Sequence, residues 1–189
     1  MFRLPSLPYA YDALEPAIAS WAVKRHYEDN HAGYYRKVNE LLSNGAKIPA
    51  TSMLDIALRT DPYTPLNNAA AQAWAHDFWW SSMSPTPTSP SATRLIHRPD
   101  LFADTWIKRG VALFGSGWLW LVLKPDGKLD IMALPDAQLP QQSGFKPILV
   151  MDLWEHSYYC QYGTKRAEYL KNTLKHLNWA EAERRYRDI

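Results

Sequence analysis

Asp152 and His156 stand four residues apart in Asp152-Leu153-Trp154-Glu155-His156, directly after the apolar run at 148–151. An apolar run that follows Pro147 reads as a buried strand, with the carboxylate at its end and the imidazole one turn later. A hard oxygen donor and a nitrogen donor on rigid backbone make half of a first-row transition-metal site. His26 and His76 are the candidates for the other half. Imidazoles with one carboxylate suit iron or manganese better than a thiolate zinc site. Taken alone, Asp-x-x-x-His also describes a helix start, with Asp as N-cap and His in the first turn.

The elements that must carry these residues follow from periodicity. A helical pattern begins at Asp12: Leu14, Ile18, Trp21 and Ala22 recur at three- and four-residue spacing, and Tyr34, Val38, Leu41 and Leu42 resume it. His26 falls on or beside that face, and Ser43-Asn44-Gly45 supplies the stop. A short helix is expected over 51–60. A longer one is expected over 66–83, where Gln72 and His76 share a face at i and i+4. The Pro/Ser/Thr stretch at 84–91 reads as a linker between a domain at 1–83 and one at 92–189. Beyond it come a helix at 100–113 and a Gly-Ser-Gly break. The strand at 118–123, apolar throughout, pairs across a turn with 129–134. A third strand at 147–151, taken as central, and helices at 157–176 and 178–187 complete the chain. Helices first, then strands among helices, argue an α+β fold.

Composition narrows the function. A net charge of +2 over 189 residues gives no global field for nucleic acid. No apolar stretch reaches membrane-spanning length, and the first residues lack the apolar core of a secretory signal. A cytoplasmic protein is the expectation. The single cysteine, Cys160, excludes an intrachain disulfide and reads as a small buried hydrophobe. Nine Trp and eleven Tyr point to a ring-lined cavity or an aromatic-rich core. His97 and His176 read as solvated or structural.

The chain resembles the iron/manganese superoxide dismutase family over nearly its whole length. The matching segments start with Leu7-Pro-Tyr-Ala-Tyr-Asp-Ala-Leu-Glu-Pro16, then His26 with His31 and Tyr34. They continue through the stretch at 66–80, Gly115-Ser-Gly-Trp-Leu-Trp-Leu121 and Asp152-Leu-Trp-Glu-His-Ser-Tyr-Tyr159. The resemblance implies an N-terminal helical hairpin domain and a C-terminal domain with a three-stranded antiparallel sheet flanked by helices. It implies one metal held by His26, His76, Asp152 and His156, cycling between M(III) and M(II) to turn superoxide into dioxygen and hydrogen peroxide. It further implies that Gln72 donates to a metal-bound solvent and that Tyr34 guards the entrance and relays protons. Trp118, Trp120 and Trp154 would form a dry wall. Glu155 would bridge to His156 of the partner subunit in a homodimer. Tyr159 would line the interface, and Arg166 would attract the anion. His31 is either part of this apparatus or a hydrogen-bonded helix histidine.

A glutamine on the helix of the second histidine is the iron-type pattern; in most manganese members it comes from the loop before the third strand, which here aligns Ala137, with Gln138 adjacent. Iron is therefore expected, with manganese open. The sequence departs from the family pattern with Asn30 for a usual histidine, Asp29 for a frequent lysine, and Trp79 for a common tyrosine. These departures bear on the entrance, not the ligands. A dismutase-like paralogue with weak or no activity is one alternative, and a two-histidine, one-carboxylate oxygenase is another.

Overall fold

The computed structural model describes residues 1–45, 48–86, 89–90 and 93–188. The first helix, α1 (Ser20–Arg25), starts later than Asp12, because residues 11–17 form successive turns. Pro16 explains this: it lacks an N–H, and the residue before a proline is held away from the helical region. The Glu15 carboxylate accepts from the Ser20 N–H at 2.8 Å and holds the start of the helix that follows. α1 runs into a π-helical turn, His26–His31, and then into α2 (Ala32–Ser43). Asn44 and Gly45, the latter at φ 107°, end it as their chemistry requires.

Side-chain caps set the next two helices. Ser52 accepts from the Asp55 N–H ahead of α3 (Met53–Arg59), and Thr64 from the Asn67 N–H ahead of α4 (Pro65–Ser82). α4 is buried on nearly every side, packing on α2, α3 and the sheet. Its alanines at 69, 70, 71, 73 and 75 allow that close approach. Of the Pro/Ser/Thr stretch, residues 87, 88 and 91 lie outside the described residues.

The second half holds α5 (Pro99–Ala112) and three strands, β1 (Gly117–Leu123), β2 (Leu129–Pro135) and β3 (Lys146–Asp152). The sheet is antiparallel in the order β2-β1-β3. β1 is central and buried almost throughout, which is why it is apolar on both faces. β3, expected to be central, is an edge strand; α4 and α8 pack over it and keep it buried. A single helix over 157–176 is replaced by α6 (Glu155–Tyr162) and α7 (Arg166–Thr173), because Gly163 adopts φ 57° and breaks the run. A short 3-10 turn, Leu174–His176, leads to α8 (Trp179–Arg187).

The helical hairpin and the three-stranded sheet among helices are as expected. Arg185 of α8 joins the two halves. Its guanidinium donates to Ile148 O of β3 (2.8 Å) and to the Ser81 and Ser82 hydroxyls of α4 (2.7 and 2.9 Å), and it lies 3.5 Å over the Phe78 ring. His176 is structural: it is buried, with Nδ1 2.9 Å from Ser84 O, whereas His97 is exposed. Cys160 is exposed, not buried, because Ser157 and Tyr158 take the inward face of α6. No described helix is long and apolar enough to cross a membrane.

Candidate metal centre

His26 opens the π-helical turn and His31 closes it. On a regular α-helix, side chains five residues apart diverge by about 140°. The wider i→i+5 turn brings both inward, and both are buried, at 3% and 1% exposure. His76 comes from the middle of α4. Its Nδ1 lies 2.7 Å from the Gln72 carbonyl one turn earlier, so Nδ1 carries the proton and Nε2 keeps its lone pair. Asp152 ends β3 directly opposite Trp118 of β1, which puts both on the sheet face toward α4. His156 follows in the first turn of α6. The helix cap is Trp154, whose N–H donates to Asp152 Oδ1 at 2.7 Å.

Asp152 Oδ2 is left facing three imidazoles. It lies 3.2 Å from His26 Nε2, 3.6 Å from His76 Nε2 and 3.2 Å from His156 Nε2. One ligand atom from each of the four residues falls within 4.8 Å of the others. The Nε2 atoms of His26 and His76 are buried without a hydrogen-bond partner. Burial drives the His26 imidazole down to about 4, partly offset by Asp152, and pushes His76 well below its ordinary range. Burial also pushes the Asp152 carboxyl up, but His156 and His26 outweigh it and hold the group well below the usual carboxylate range. Imidazole nitrogens around one carboxylate oxygen are the donor set a divalent or trivalent first-row metal takes, and the residues fit iron or manganese.

Around the four ligands the walls are aromatic. Trp118 meets His76 edge-on at 4.9 Å between ring centres, and Trp79 and Trp80 lie 4.7 and 5.0 Å from His26. Trp154 stacks beside His156 at 6.0 Å. Trp120 is buried one layer back, stacked on Trp74. Tyr34 lies 5.2 Å from His76, and burial with nearby Asp152 raises its phenol to about 12. Gln72 is 3% exposed, and neither amide atom has a partner. A cavity of about 380 Å³ reaches Tyr34, Gln72 and Trp154 from the surface, with Lys37 on its wall.

The chain matches the alpha-hairpin domain of the iron/manganese superoxide dismutases over residues 1–84, and their C-terminal domain over 97–185. It belongs to the iron/manganese superoxide dismutase family. An iron superoxide dismutase of Entamoeba histolytica is 38% identical over 188 residues, 96% of this chain and 97% of that protein. One from Pseudoalteromonas translucida is 40% identical over 94% of this chain and 95% of its own length. One from Escherichia coli K12 is 36% identical over 94% of each. The reaction is the disproportionation of superoxide to dioxygen and hydrogen peroxide.

Other residues singled out in the sequence of this dismutase lie further from the metal group. His31 accepts from Trp80 Nε1 at 3.1 Å and lies 3.1 Å from Asp77, one layer behind His76. Glu155 and Tyr159 are exposed on α6. Arg166 donates to Leu113 O (2.7 Å) and Gly115 O (2.6 Å), so its charge is spent on backbone carbonyls outside the cavity. Asn30 is half-buried and Asp29 exposed, and neither lines the cavity. Ala137 does line it, while Gln138 donates outward to the Tyr63 hydroxyl at 2.9 Å. Lys37 and Trp80 were not singled out as site residues. Both stand one helical turn after one that was, Lys37 after Tyr34 and Trp80 after His76, and that spacing was a readable signal.

Proposed function

We propose that this superoxide dismutase uses iron, as a cytoplasmic homodimer, with Gln72 as the residue that tunes the metal. Gln72 carries the reading: a buried amide with two unpartnered atoms, one turn from His76, while the competing loop lines the cavity with Asp136 and Ala137 and turns Gln138 to the Tyr63 hydroxyl. His26, His76, Asp152 and His156 would hold the iron, which would supply a one-electron redox couple for the disproportionation.

The chain's own residues do the rest. Asp152 brings the negative charge that offsets the cation, and its second oxygen is oriented by the Trp154 N–H. Gln72 offers an N–H donor to whatever occupies the space between cavity and ligands, favouring its more anionic form. Tyr34 keeps its proton throughout the physiological range, since its phenol is raised to about 12, and so serves as a donor at the mouth. Trp118 and Trp154 exclude water and sharpen these electrostatics. Lys37, not Arg166, is the cation on the cavity wall.

Homodimerisation is supported by exposed Tyr159 and Glu155 flanking His156 on α6, where a second copy can hydrogen-bond the imidazole and fix its orientation. Sedimentation of the parent and of Glu155→Ala tests it; two monomeric species would overturn it. Residues 84–91 are read as the domain boundary, supported by the separate family matches on either side.

The test of the metal is superoxide consumption by protein reconstituted separately with iron and with manganese, normalised to bound metal. High turnover with iron alone supports the role given to Gln72. Equal turnover with both would show that Gln72 does not discriminate.

A further inference from the structure

Among the described residues, two with side chains hold left-handed backbone, Tyr63 at φ 66° and Asp136 at φ 53°. Both lie on the rim of the cavity that reaches Gln72 and Tyr34. Such a conformation is strained for a residue other than glycine, Asn or Asp, and strained positions gather where the chain must hold a special shape. Tyr63 belongs to the connection between α3 and α4; Asp136 follows β2. The two connections are tied: Gln138 Nε2 donates to the Tyr63 hydroxyl at 2.9 Å.

A second cavity, of about 600 Å³, adjoins the first and is walled by neutral side chains such as Asn67, Gln141 and Gln142. Tyr63, Asn68 and Ala137 line both cavities. Tyr63 and its bond to Gln138 therefore stand where the two cavities adjoin, with Tyr63 on the wall of the one that reaches Gln72. Tyr63 is 64% exposed, so its burial does not explain why an aromatic residue is held there against its backbone preference. The smaller cavity carries the charges: Lys37 on one wall and Asp136 on the rim.

We infer that Tyr63, tied to Gln138, sets the size limit on anions that reach Gln72 and Tyr34. A diatomic anion passes the mouth beside the Tyr63 ring; a bulky monoanion is stopped there. The inference rests on the entrance reading given above. It makes Tyr63 and Gln138 specificity-determining residues that act through the shape of the opening.

The test compares azide, a linear triatomic monoanion, with benzoate, a bulky one, by optical titration of the iron-loaded protein. Metal content and Tm are recorded for each variant. Tyr63→Gly removes the ring at a position whose backbone suits glycine, so the connection keeps its shape. It is expected to raise benzoate affinity relative to azide by about 10-fold, the lower end of what one steric misfit is worth in a fitted pocket. Tyr63→Phe and Gln138→Ala cut the tie but keep the ring, and are expected to shift the ratio in the same direction by less. A destabilised fold would alter both anions together or lower metal content, and would leave their ratio alone. An unchanged ratio in all three variants overturns the inference. Azide that fails to perturb the parent's spectrum overturns the entrance reading, and this inference with it.

Discussion

Removing the metal should cost this dismutase much of its thermal stability, by an amount the site allows to be worked out. The four ligands come from α1–α2, α4, β3 and α6, so an unfolded chain does not present them together. A ligand that binds only the folded state stabilises it by about 4 kcal/mol when free metal exceeds the dissociation constant a thousandfold. For a chain of 189 residues, each kcal/mol moves Tm by roughly 2–4 °C. The metal-free protein should therefore melt about 8–16 °C below the loaded one by scanning calorimetry. The metal-free chain should also be acid-sensitive. His26 falls from an ordinary 6.5 to about 4 on folding, and His76 moves the same way. The unfolded chain then binds more protons across that window, so the stability is whole above pH 6.5 and drains as pH falls toward 4. His26 alone is worth on the order of 3 kcal/mol over this range. Stoichiometric metal with a Tm gain under about 2 °C would refute a site assembled only by folding. A flat Tm between pH 6.5 and 4.5 in the metal-free chain would refute the burial argument.

Three further outcomes are expected. Gln72→Ala should keep the metal but shift its one-electron potential by about 60–130 mV, the equivalent of a hydrogen bond to a charged group; a potential within 20 mV or so of the parent, measured by redox titration, would remove Gln72 from its tuning role. Lys37→Gln should slow superoxide consumption by a few-fold at low salt, with the difference vanishing near 0.5 M, as one exposed charge on the cavity wall requires. A salt-independent deficit in stopped-flow traces would count against it. Gly117→Ala should destabilise by roughly 3 kcal/mol or more, because the new Cβ meets the Leu134 carbonyl oxygen, a backbone atom of paired β2 that cannot yield; a denaturant midpoint like the parent's would contradict the register given for β1 and β2.

Much of this molecule was legible in the order of its residues. The stops and caps were local: Ser43-Asn44-Gly45 ends α2, and Gly127 turns the hairpin with Lys124 N–H bonded to Lys128 O. The apolar run of β1 declared a strand covered on both faces. The four ligand types and their spacing, and Gln72 one turn before His76, were likewise readable, because helix and strand periods are properties of the chain itself. What lay beyond the sequence was direction in space. The π-helical turn that brings His26 and His31 both inward is set by the neighbours α1–α2 must pack against, not by propensity. Asp152 meets the imidazoles because β3 pairs with β1 in the register that puts it opposite Trp118; a slip of one residue would turn it away. Gln138 points to Tyr63 and not to Gln72, Arg166 is spent on the carbonyls of Leu113 and Gly115, and Cys160 faces outward. Each is a choice among partners distant in sequence, and only the packed structure decides which partner is within reach.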